Sequence, residues 1–194
     1  MKVDAAGRAG RWLAALGLVV AASIAVATAP QEGTLAGPFV RTGVEGEVLH
    51  TRVLDVEVTG VRLTNELNLA YDETRIGTDG VWVVVDLIIT SNAGSVRLGF
   101  AELHLNGVAY GTYRLPSPAV DHITYGAGVP VKGSLVFELP SSALEAGGLA
   151  DARVYLQAGV SVQLDDIPEV IIDLSDLEVV RSETIDEAVV VEVR

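Results

Sequence analysis

From Pro38 onward, apolar and polar positions alternate in short runs broken by Gly, Pro, Asn and Asp. That period of two belongs to strands, not helices. Leu54, Val56 and Val58 share one face, and Asp55, Glu57 and Thr59 the other. After Gly60 the apolar parity passes to Val61 and Leu63. A strand cannot change parity without an inserted residue or a break, so a β-bulge or bend is expected near Thr59-Gly60. Residues 81–90 are apolar on nearly both faces, with Asp86 their only charge. This predicts a central strand whose Trp82 is covered on the second face.

Phe100, Glu102 and His104 alternate with Ala101, Leu103 and Leu105, and Asn106-Gly107 follows at once. An Asn-Gly pair between strand-like runs predicts a tight hairpin. Val129, Val131, Leu135, Phe137 and Leu139 form a further inward face, with Lys132, Ser134 and Glu138 outward. Val154 and Leu156 mark a short strand, and Val170, Ile172 and Leu174 another. Eight or nine strands fit between Phe39 and Leu174, and the only helix-like segment is one turn at Ser141–Glu145. Without helical patterns between the strands, parallel βαβ units are excluded. An all-β, immunoglobulin-like antiparallel β-sandwich is expected, ahead of a closed barrel. No solenoid or propeller repeat is present.

The N-terminus breaks this pattern. Residues 12–29 are apolar and uncharged, behind a tail carrying Lys2, Arg8 and Arg11 against Asp4. Eighteen helical residues reach roughly 27 Å, close to a hydrocarbon core of about 30 Å. The basic flank would stay cytoplasmic. The expected organisation is a cytoplasmic tail (1–11), a transmembrane helix or uncleaved signal anchor (12–30), a linker (31–37), an extracytoplasmic sandwich (38–175) and an acidic tail or extra edge strand (176–194). A cleaved signal peptide has the same layout, and Ala25-Val26-Ala27 and Ala27-Thr28-Ala29 both fit a cleavage site.

Charge and composition narrow the partners. The chain of 194 residues has 26 acidic and 13 basic side chains, a net charge of -13, and no Cys. That balance argues against nucleic acid, and the lack of Cys removes disulfides and thiolate metal sites. Ten of the acidic residues lie between Asp165 and Arg194.

The segments 80–87 (Gly-Val-Trp-Val-Val-Val-Asp-Leu), running on to Asn92, and 133–140 (Gly-Ser-Leu-Val-Phe-Glu-Leu-Pro) carry a resemblance. Together with the basic tail, single span and linker, they resemble small membrane-anchored actinobacterial proteins with a telokinin-like, immunoglobulin-like outer domain. The resemblance covers about residues 45–175. It implies an extracytoplasmic interaction module and transfers no catalytic residue.

Candidate chemistry is sparse. His50, His104 and His122 have no partner at metal-ligand spacing. Gly126-Ala127-Gly128 precedes Pro130 and a strand, so it reads as a turn. Asp165 and Asp166 with Glu169 are the best cation candidates, because hard cations take several oxygen ligands. The same three acids would serve an alternative reading as a carboxylate-dependent hydrolase; otherwise they form a solvated turn. Asp72, Glu73 and Arg75 fall in the stretch 65–79, read as the longest loop and a candidate partner site. Val189, Val191 and Val193 sit in a β-prone run that fits an added edge strand or a partner-binding tail. No cofactor is expected. The preferred function is non-catalytic binding of an envelope protein or polymer, possible as an accessory of a membrane or export complex; a structural surface spacer is the other alternative.

Overall fold

The computed structural model describes residues 15–24, 27, 37–116, 119–159 and 166–191. The chain divides into two units, Met1–Gly37 and Pro38–Arg194. In the first, residues 15–24 are helical, a length of about 15 Å. Among the described residues no helix is long and apolar enough to cross a membrane. Residues 12–14, 25, 26, 28 and 29 of the expected span and linker residues 31–36 lie outside the described residues.

Among the described residues the second unit is a β-sandwich of twelve strands. They are β1 (Phe39–Val44), β2 (Val48–His50), β3 (Leu54–Leu69), β4 (Arg75–Ser91), β5 (Leu98–Leu105) and β6 (Val108–Gly111). Then come β7 (Pro130–Leu139), β8 (Ala152–Ala158), β9 (Asp166–Ile172), β10 (Val179–Val180), β11 (Glu183–Ile185) and β12 (Val189–Val190). One sheet has the order β1-β9-β8-β5-β6, the other β10-β3-β4-β7-β12, with β2 and β11 also on β3. The expected helical turn is present at Ser141–Glu145.

The period-two pattern becomes the core. Val56, Val58, Val83, Val85, Leu103, Phe137, Val154 and Val170 are fully buried between the sheets. The parity switch is a register shift between Val58 and Gly60 in the β3–β4 ladder. The Asn106-Gly107 hairpin joins β5 to β6, with Leu105 opposite Val108. Both turn residues have positive φ, 53° and 78°, as a two-residue type I′ turn requires.

β4 is central and covered on both faces. Its odd positions enter the inter-sheet core, while Trp82 and Val84 face outward into a second cluster with Val136, Leu67, Leu69, Leu115 and Ile185. Trp82 also meets Tyr113 edge-on, with ring centroids 4.8 Å apart.

Three expectations need correction. The sandwich is not wholly antiparallel: β1 pairs parallel with β9, and β10 and β11 pair parallel with β3. Nine strands, β1 to β9, lie between Phe39 and Ile172, within the expected count, and the segment 176–194 adds β10, β11 and β12 at sheet edges. Residues 65–79 are not a long loop. β3 continues to Leu69 and β4 starts at Arg75, so only residues 70–74 turn. The polar run 65–68 is a hairpin arm with a wet face, while Leu67 and Leu69 on its other face are buried against Trp82. Finally, Asp166 and Glu169 belong to β9 and not to a solvated turn.

Candidate functional site

The candidates from the sequence disperse in space. Asp72, Glu73 and Arg75 occupy the β3–β4 turn, where the Asp72 carboxylate accepts the Thr74 N–H at 2.8 Å and Glu73 takes φ 56°. Val189 lies in β12, opposite Lys132 of β7, and the Val191 N–H donates to the Pro130 carbonyl at 2.9 Å. Asp165 and Val193 lie outside the described residues. Asp166 and Glu169 are three apart on a strand, so they point to opposite faces. Among the described residues no group of three His, Cys, Asp or Glu is placed to hold a metal ion.

Glu169 is 4% exposed and already fully engaged. It accepts from the Tyr155 hydroxyl and, at 2.8 Å, from the Thr42 hydroxyl, with the Arg153 guanidinium at 3.4 Å. Burial pushes its carboxyl up, but these donors and the Arg153 charge outweigh it and hold the group below the ordinary carboxylate value. Arg153 is shared with Asp151 at 3.1 Å. The His104 ring stacks 4.4 Å from Tyr155, with its Nε2 2.9 Å from the Glu102 carboxylate. This network ties β1, β9, β8 and β5 together.

A second polar cluster lies on the outer face of the other sheet. Arg62 bridges Asp86, at 2.9 Å, and Glu183, while the Ser134 hydroxyl donates to Asp86 at 2.6 Å. Burial lowers the Arg62 pKa, yet its two carboxylates outweigh that and raise it. The chain from Glu183 to Val189 passes over this face and leaves a hollow of ≈ 360 Å³. Ile185, 2% exposed, anchors that strap in the cluster around Trp82.

The third place is open where those two are closed. β5 is longer than its neighbour: β6 pairs only with residues 102–105. At the other end, Val96 exchanges two hydrogen bonds with Tyr125, at 3.0 and 2.7 Å. Between these pairings, residues 97–101 have no strand on that edge among the described residues. Backbone groups alternate sides along an antiparallel strand. Leu105–Val108 and Leu103–Tyr110 are the hydrogen-bonded pairs of the tight hairpin, so the Ala101 N–H faces the gap. The Arg97 carbonyl accepts from Gly159 on the β8 side, so Leu98 also turns its backbone to the gap. A register shift between Leu98 and Phe100 accommodates the two.

The gap is a cleft of ≈ 390 Å³ between β5 and Gly111, Thr112, Arg114, Asp121 and His122. Arg97 and Arg114 line it, and Arg97 reaches the His122 carbonyl at 3.3 Å. Among the described residues neither arginine has an acidic partner. Glu102 and Asp121 also border the cleft; each faces a histidine, His104 at 2.9 Å and His122 at 3.9 Å. Phe100, 39% exposed, supplies an apolar flank. Sequence reasoning missed this site. Its one linear signal is that eight residues of β5 precede the turn and only four of β6 follow it.

No family description and no curated protein matches the chain. Among solved structures it is similar to an uncharacterized beta-sandwich protein from Clostridium difficile 630. That match has 11% identity and a TM-score of 0.46, covering 73% of this chain and 99% of the other.

Proposed function

We propose that this chain is a non-catalytic, membrane-anchored extracytoplasmic module that binds a protein or polymer of the cell envelope. The open stretch of β5 carries this reading: among the described residues it is a strand edge without a neighbour, inside a cleft whose two arginines have no acidic partner. The apolar run 12–29 behind Lys2, Arg8 and Arg11 supports the anchor. The sheet orders support the immunoglobulin-like reading. β3-β4-β7 facing β9-β8-β5-β6 follows the order A-B-E facing G-F-C-C′ of that architecture.

The hydrolase alternative is disfavoured by a specific observation. Glu169, one of the acids it needs, is occupied by Tyr155, Thr42 and Arg153 and faces away from Asp166. A spacer would leave the cleft empty. The test is the full chain in intact cells, carrying a photo-reactive side chain at Phe100 or, as control, at Glu138 on the other sheet. The module predicts a discrete adduct at Phe100 that is missing at Glu138. Equal background at both positions overturns it. Protease accessibility of the sandwich in spheroplasts tests the side of the membrane.

A further inference from the structure

We infer that the cleft beside β5 takes an extended peptide segment bearing carboxylate side chains, which docks as an added strand. The inference rests on the binding-module reading and narrows its partner to a protein.

The backbone argues for a peptide. An open strand edge recognises another extended backbone, and pockets alongside it select side chains. The gap between the Val96–Tyr125 pairing and β6 is five residues, 97–101. At about 3.3 Å per residue, its 97–101 span of roughly 13 Å admits about four residues of a strand. The Ala101 N–H and the backbone of Leu98 offer the new ladder its first hydrogen bonds. Ala101 and Leu98 are themselves 4% and 9% exposed, because their side chains enter the core. Their backbone edges are what the cleft offers, and the bulge between Leu98 and Phe100 sets the spacing that an incoming strand must match.

Charge argues for acidic side chains. Arg41, Arg62 and Arg153 each have carboxylate partners, whereas Arg97 and Arg114 line the cleft and among the described residues have none, the cleft's own Glu102 and Asp121 facing His104 and His122 instead. A guanidinium with free donors binds carboxylates through paired, charge-assisted hydrogen bonds. The protein's net charge of -13 repels an acidic segment at a distance. That repulsion is screened beyond about 8 Å at physiological ionic strength, whereas the arginines act at contact. Phe100 favours an apolar residue between the acidic ones.

The test is titration of the isotopically labelled full chain, in micelles, with a capped hexapeptide of sequence Thr-Val-Glu-Val-Glu-Thr, followed by amide NMR. The expected result is saturable shifts at Leu98 and Ala101. Replacing both Glu in the peptide with Gln, or both arginines (Arg97→Gln with Arg114→Gln), should each weaken binding about tenfold or more, given the strength of charged hydrogen bonds. The Gln peptide needs no protein variant, so that comparison survives a variant that fails to fold. No saturable shift up to about millimolar peptide, which corresponds to only about 4 kcal/mol, overturns the inference. So does equal binding of the Gln peptide. Soluble polygalacturonate is the third probe. Arginine-dependent shifts with it, and none with the peptide, would make the cleft a glycan site and overturn the peptide. A specific adduct at Phe100 without peptide binding would leave the module reading intact and remove only this inference.

Discussion

Replacing Glu169 with Gln tests the network that holds the outer face of the five-stranded sheet. The side chain is nearly isosteric, so no cavity forms. Gln offers one acceptor where the carboxylate has two, and its amide group meets a hydroxyl that had been donating. The Tyr155 and Thr42 hydroxyls therefore compete for one oxygen. Charge-assisted hydrogen bonds contribute about 1.5–3 kcal/mol each in favourable sites. Arg153 is 38% exposed and keeps Asp151, so its lost ion pair adds little. The expected cost is about 2 kcal/mol near neutral pH, or about 4–8 °C in Tm for a domain of this size.

The pH dependence carries a sign. Glu169 is held below its ordinary value of 4.5. A depressed carboxylate stabilises fully above its unfolded pKa and loses that contribution as pH falls through the folded value. The difference between wild type and Glu169→Gln should therefore be constant above about pH 5 and shrink below pH 4.5. Urea unfolding followed by tryptophan fluorescence, from pH 7 down to pH 3, measures it. Equal midpoints at pH 7, or a gap that persists undiminished at pH 3, would refute the reasoning.

Trp82→Ala should cost about 3–5 kcal/mol, read by urea unfolding followed by far-UV circular dichroism, since Trp82 is the sandwich's own fluorophore. Trp82→Phe should cost much less, since the indole N–H has no partner among the described residues. Arg62→Ala should release the strap by separating Glu183 from Asp86, costing about 1 kcal/mol at this half-exposed site; faster amide exchange at Thr184 and Ile185 would show it. Gly107→Ala should cost about 1 kcal/mol, because φ 78° is disfavoured for any residue with a Cβ. Tyr125 is buried and its phenol is pushed far up by burial and by Asp121. A spectrophotometric titration should find it unionised after exposed tyrosines have ionised.

The legible parts of the fold were those written by local alternation. The parity change at Gly60, the double-faced β4 and the Asn106-Gly107 turn each follow from residues within one or two strands. What was illegible depends on distant partners. Glu169 beside Asp165 and Asp166 reads as an acidic turn until Thr42 and Tyr155, from other strands, meet its oxygens. Residues 65–69 look like loop because their polar face is all that the sequence advertises. Their burial needs Trp82 and Ile185. The cleft beside β5 was hidden for another reason. An unpaired edge is an absence of neighbours, and Leu98 and Ala101 look like ordinary core residues in one dimension.

The account turns on that edge being open, and amide hydrogen exchange in the free protein reads it directly. Ala101 and Leu103 lie two residues apart on β5 and are buried alike, 4% and 0% exposed. Leu103 is paired with Tyr110 of β6, whereas that ladder ends at Glu102–Gly111, one residue short of Ala101. Exchange of the Ala101 N–H should be faster than that of Leu103 by about a hundredfold or more, as a missing ladder bond predicts. Equal protection of the two would mean that the edge is already filled, and would contradict the account.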